Sequence, residues 1–73
     1  MGYVLVHYDR ERTVYVDEIA SGMTNKAIRV PNGLHDFDLG LPDNVTPAWY
    51  TKLVRATHSI QRPLELTFVR DGA

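Results

Sequence analysis

Cysteine is absent from the 73 residues, so the chain has neither a disulfide framework nor thiolate chemistry. That absence suits a reducing compartment and many exported bacterial proteins equally, and it leaves the compartment open. Long apolar runs are also missing. Nothing approaches the ~18 to 20 residues of a spanning helix, and the N-terminus lacks the charged, apolar and small-residue succession of a signal peptide. The expectation is a soluble chain without membrane insertion, cytoplasmic as written, or exported if it is part of a longer protein. An excess of one charge is missing too. Eight Lys and Arg stand against nine Asp and Glu, for a formal net charge of −1, and the basic residues are scattered. There is no basic stripe of the kind that grips a phosphate backbone, so nucleic acid is not an expected partner.

What remains is composition ordinary for a folded domain, 44% apolar and 23% charged. At this length a chain forms one domain and buries only about 60% of its unfolded surface, so apolar residues are scarce. Residues 2–70 are read as that domain and 71–73 as a tail.

Side-chain alternation sets the fold class. Tyr3 to Tyr8 (YVLVHY) is a strand with Val4, Val6 and Tyr8 on one face and Tyr3, Leu5 and His7 on the other. Both faces are apolar, and left as a bare edge this segment would template association between chains, so Tyr3, Leu5 and His7 are candidates for self-association. Thr13 to Asp17 is a second strand with Val14 and Val16 inward, followed by a connection from Glu18 to Thr24. Lys26 to Val30 and Leu34 to Leu39 flank Asn32-Gly33, the dipeptide best suited to a two-residue type I′ hairpin. That register sets Arg29 opposite Asp36 and Ile28 opposite Phe37. Leu41 to Pro47 has loop composition. Trp49 to Thr57 reads as a strand with a helix as the alternative, and Leu64 to Arg70 alternates with Leu64, Leu66 and Phe68 inward. About six short strands imply an all-β fold, a small antiparallel β-sandwich or barrel of Greek-key type.

The run TVYVDEIASGMTNKAIRVPNGLHDFDL resembles the PEGA domain family, with Val14, Val16, Asp17, Gly22, Thr24, Pro31 and Gly33 matching its strand and turn pattern. Glu18 stands where that family has a turn glycine and Asn25 where it has proline. The resemblance covers roughly residues 2 to 70. It implies a prealbumin-like sandwich, usually an accessory module of bacterial surface or multidomain proteins, without catalysis.

Candidates for chemistry are few. Ser21 and Ser59 lack the glycine-flanked elbow of a nucleophile. His7, His35 and His58 lie in separate segments without metal-ligand spacing, so neither a metal nor another cofactor is expected. His35 reads as a rim-of-core histidine bonded to backbone. Asp36 and Asp38 share a face at the spacing of a glycosidase pair, but with Arg29 opposite they read as a solvated, charge-balanced face. Asp17 is placed to accept backbone N–H groups of the turn after it. Asn44-Val45-Thr46 matches a glycosylation acceptor and is discounted as a three-residue pattern. The usable signal is aromatic: Tyr15, Trp49 and Tyr50 are candidate contacts for a protein partner or a glycan. The expected function is a non-catalytic interaction module binding a protein or another copy of itself, with carbohydrate binding as the alternative and a small enzyme as the least favoured.

Overall fold

Alternation in the sequence becomes the core. The computed structural model describes residues 1–42 and 44–71, so Asp43 of the expected loop and Gly72 and Ala73 of the expected tail lie outside the described residues. Val4, Val6 and Tyr8, Val14 and Val16, Ile28 and Val30, Phe37 and Leu39, and Leu66 and Phe68 alternate inward from their segments and join Val45 and Val54 in one buried cluster. The fold is all-β, with nine strands among the described residues: β1 (Gly2–His7), β2 (Thr13–Val16), β3 (Ile19–Met23), β4 (Ala27–Val30), β5 (Gly33–Asp38), β6 (Val45–Thr46), β7 (Tyr50–Val54), β8 (Leu64–Thr67) and β9 (Val69–Arg70). They form a three-stranded sheet in the order β4-β1-β8, a four-stranded sheet in the order β3-β2-β5-β7, and a separate β6-β9 ladder. The two larger sheets make a small sandwich.

The hairpin expected at Asn32-Gly33 does not form. β4 pairs with β1 and β5 pairs with β2 and β7, so the chain crosses between sheets at Pro31-Asn32. Only Gly33 of the dipeptide takes positive φ, at +129°, whereas a type I′ turn needs it at both central residues. Crossing lets Ile28 and Val30 meet Phe37 across the core instead of beside it, and all three are buried. Alternation fixes which side of a strand is apolar; it does not say whether two such strands share a sheet or face each other.

The tight hairpin lies one segment earlier, where a connection was expected. Asp17 and Glu18 both have positive φ, 51° and 70°, and join the paired residues Val16 and Ile19. β3 then runs back along β2, with a register shift that leaves Ser21 as the extra residue of a bulge. Gly22 sits opposite Val14, and a Cβ on it would lie 2.7 Å from Ile28 Cγ1, so the missing side chain admits Ile28 to the core. Residues 49–57 contribute a strand at Tyr50–Val54 and no helix. The last expected strand is broken at Phe68 into β8 and β9. β8 also departs from an all-antiparallel sandwich by running parallel to β1, an arrangement that a tight hairpin could not make and that residues 8–63, which separate the two strands, permit.

Two crossings between the sheets, residues 8–12 and 24–26, run against each other. Thr24 has 0% exposure; its hydroxyl donates to the Arg10 carbonyl at 2.7 Å and accepts the Arg12 N–H at 2.9 Å, and its own N–H bonds to the Arg12 carbonyl at 2.8 Å. Asn25, with φ of 64°, gives its N–H to the Val6 carbonyl. Its side-chain amide reproduces a peptide, accepting from Tyr8 N–H and donating to Tyr8 C=O.

Two stability outcomes follow. Glu18→Gly removes a left-handed L-residue from the turn and should raise stability by about 1 kcal/mol, or roughly 4–8 °C in Tm, in a thermal melt; an unchanged or lower Tm contradicts the turn assignment. Thr24→Val keeps the shape but strands the Arg12 N–H and the Arg10 carbonyl, and should cost about 1–3 kcal/mol in a denaturant titration while Thr24→Ser loses less.

Candidate interaction site

The loss of the hairpin changes the charge map. Arg29 now lies in β4, opposite Tyr3 of β1, while Asp36 and Asp38 lie in β5 of the other sheet, so the expected charge balance between them does not exist. Asp36 instead accepts the Thr51 hydroxyl at 2.6 Å, and Asp38 accepts the Gly40 N–H at 2.9 Å. Asp17, Glu18, Asp36 and Asp38 line an open cleft of about 590 Å³ together with Gly40, Leu41, Ala48 and Trp49. Among the described residues, no ion pair includes Glu18, Asp36 or Asp38. The apolar part of the lining is exposed: Trp49 at 62% and Leu41 at 89%. An uncompensated acidic surface beside an open indole and a leucine is chemically suited to a cationic group carried on an apolar stem.

Asp17 is committed to structure. Its N–H bonds to the Asp36 carbonyl and its Oδ1 accepts the Asp36 N–H at 3.0 Å, so the carboxylate continues the β2–β5 ladder past the point where the chain turns. Asp17 was expected to serve the turn after it and serves β5 instead, because positive φ swings its side chain onto the neighbouring strand. Its Oδ2 lies 2.5 Å from Nδ1 of His35, whose Nε2 lies 2.8 Å from the Pro31 carbonyl. A carboxylate and a carbonyl only accept, so the arrangement favours the protonated form of His35, which can donate at both ring nitrogens. The bond to Asp17 holds the His35 pKa above its ordinary value. The Asp36 backbone N–H, and next the His35 side chain, hold Asp17 below its own. With both nitrogens engaged, the ring has no free site to take a proton from a nucleophile. Ser21 donates to the Ile19 carbonyl and Ser59 accepts the Arg62 N–H, so neither serine approaches His35. His7 pairs with Glu65 at 2.8 Å and His58 accepts the Arg55 N–H. Among the described residues no group of three His, Asp or Glu is placed to hold a metal ion.

The aromatic trio disperses. Tyr15 packs over Gly40, where a Cβ would lie 2.6 Å from the ring. Tyr50 turns inward, edge-on to Phe68 with centroids 5.1 Å apart, and donates its hydroxyl to the Thr67 carbonyl. Trp49 alone stays open. The first strand has no free edge: β1 is the centre of its sheet, bonded to β4 on one side and β8 on the other, with Tyr3, Leu5 and His7 half-buried on the outer face. No helix among the described residues is long and apolar enough to cross a membrane.

Sequence reasoning missed the residue that shapes the site, Arg12. Its Nη2 donates to the carbonyls of Leu39, Gly40 and Pro42 at 3.0, 3.2 and 3.0 Å, and its Nη1 donates to Asn44 Oδ1 at 2.9 Å. The guanidinium also lies 5.7 Å from the Tyr8 ring centroid. One side chain therefore holds the segment that presents Leu41 to the cleft. On the other side of that segment, Tyr8, Arg10, Arg12, Pro42, Asn44 and Arg70 line a second hollow of about 320 Å³. Asp9 lies 2.6 Å from Arg70 and 3.7 Å from Arg10, and the Asp71 N–H bonds to the Asn44 carbonyl. Leucine in a stretch of Pro, Asp and Asn was the one sequence signal for this region; nothing in the spacing announced Arg12.

Set against family models, curated proteins and solved structures, the chain finds no match.

Stability should be greatest between the ordinary values of the paired groups, 3.8 for Asp17 and 6.5 for His35. His35 contributes fully below 6.5, and its contribution is lost as pH rises through the raised folded value; that of Asp17 is present above 3.8 and is lost as pH falls through the lowered folded value. Tm measured against pH should fall on both sides, and His35→Gln should flatten the alkaline limb. A His35 ring that titrates by NMR at the ordinary histidine value contradicts the pairing.

Proposed function

We propose that the chain is a non-catalytic interaction module of PEGA-like type whose recognition surface is the cleft around Trp49. The observation that carries this is the coexistence, in a domain with little apolar surface to spare, of an open Trp49 and Leu41 with Glu18, Asp36 and Asp38, which enter no ion pair among the described residues. The PEGA-like reading draws support from the roles of the matching residues: Val14 and Val16 in the core, Asp17 in the tight turn, Gly22 against Ile28, Thr24 in the buried seam, and Gly33 at positive φ. Against catalysis stands the engagement of both His35 nitrogens. A glycan reading rests on Trp49 alone, since Tyr15 and Tyr50 are turned to other tasks.

The fluorescence of Trp49, the sole tryptophan, reads the cleft directly. Titration with a short arginine-rich peptide should shift and quench its emission at low salt, whereas an acidic peptide of equal length should not. A response to cell-wall oligosaccharides without a response to the basic peptide transfers the function to glycan binding.

A further inference from the structure

Asp17 belongs to two structures at once. It lines the cleft with Glu18, Asp36 and Asp38, and its carboxylate meets the His35 ring at 2.5 Å. His35 itself does not line the cleft; its side chain is only 15% exposed, and its far nitrogen is anchored on the Pro31 carbonyl at 2.8 Å. Three other elements meet at the ring. The β2–β3 turn brings Asp17, the crossing from β4 brings the Pro31 carbonyl, and β7 brings Lys52, which stands opposite His35 in the strand register with its ammonium 5.7 Å from the Tyr50 ring centroid. Phe37, two residues along β5, meets the ring edge-on. Among the described residues Asp17 is the one charged group bonded to His35. Protonated, the ring sets a positive charge directly against a carboxylate of the cleft; neutral, it leaves that carboxylate uncompensated and can donate to only one of its two acceptors.

We infer that the proton on His35 and a cation in the cleft compete for Asp17, so that the cleft holds cationic partners weakly while His35 is protonated and more tightly once it is neutral; this rests on the interaction-module reading above. The sign follows from charge. Glu18, Asp36 and Asp38 enter no ion pair among the described residues in either state, and loss of the His35 proton adds Asp17 to them. Pairing with Asp17 raises the His35 pKa above its ordinary 6.5, which sets the change well above the ordinary carboxylate range near ~4. The ring is mostly covered, so salt screens this interaction less than it screens a pair at the surface. Coupling is reciprocal: a cation that favours neutral His35 lowers its titration midpoint by the same factor by which deprotonation tightens binding.

The test reads both sides of the coupling on the intact chain. The probe is an arginine-rich peptide, acetylated and amidated so that its own charge stays constant. Its affinity is measured by Trp49 fluorescence about one pH unit below and above the His35 midpoint found by NMR. Binding should tighten about fivefold on the alkaline side, and saturating peptide should lower the His35 midpoint by about 0.7 pH unit. His35→Gln carries no charge and should bind the peptide with one affinity at both pH values, whereas His7→Gln, altered on the other sheet, should keep the dependence. Equal affinity in the wild-type chain at the two pH values, or a dependence that persists in His35→Gln, overturns the inference and leaves the interaction module standing. If Trp49 responds to the peptide at neither pH, both readings fall.

Discussion

The seam formed by Thr24 and Asn25 is the constraint on which the rest of this small sandwich depends. Every strand but β3 follows its predecessor into a different sheet, so the domain is held at its crossings as much as by its ladders. A crossing exposes backbone groups that no ladder serves, and burying them unpaired costs about 1–3 kcal/mol each. Here two crossings satisfy each other. The Thr24 hydroxyl serves a donor and an acceptor of the other segment at once, and the Asn25 amide pairs with both polar groups of Tyr8. Among the described residues no buried side-chain nitrogen or oxygen lacks a partner.

From the seam, order is passed outward by Arg12. Its backbone is bonded to Thr24, while its guanidinium reaches residues 39, 40, 42 and 44 of a third crossing. A planar fork with several donors can gather carbonyls that a lysine ammonium would hold less definitely. The loop so gathered gives Leu41 to the acidic cleft and Pro42 to the second hollow, with Leu41 turned outward. The site is thus the far end of a chain of contacts that begins in the core, and its charges are segregated because the sandwich puts Arg29 on one sheet and Asp36 and Asp38 on the other.

The inward set of residues was legible because period-two alternation reports burial directly. Val4, Val6, Val14, Val16, Phe37, Leu66 and Phe68 all lie where alternation puts them. Partnership was not legible, because Ile28 and Phe37 satisfy the same pattern as neighbours in one sheet or as opposites across a core. Turn chemistry misled in the same way. Asn32-Gly33 has the composition of a tight turn, yet Asp17-Glu18 adopts one, since the β2–β3 pairing and the Asp17 bonds to His35 and Asp36 outweigh the preference for glycine. The cleft was invisible for a related reason. Its carboxylates come from a turn and a strand, its apolar lining from two loops, and Arg29, expected opposite Asp36, is outward-facing on the other sheet.

The parallel alignment of β1 with β8 matters for how the chain reaches this state. Leu5 lies beside Glu65, so the middle strand of the three-stranded sheet gains its second neighbour only from residues some sixty positions later. Closing a loop of that length carries an entropic cost before any contact rewards it, which slows folds of this kind. On a ribosome, β1 would wait through the synthesis of nearly the whole domain with one apolar-flanked edge uncovered. The charges of Asp9, Arg10, Glu11 and Arg12 directly after it are placed to keep that waiting strand from pairing with another nascent chain.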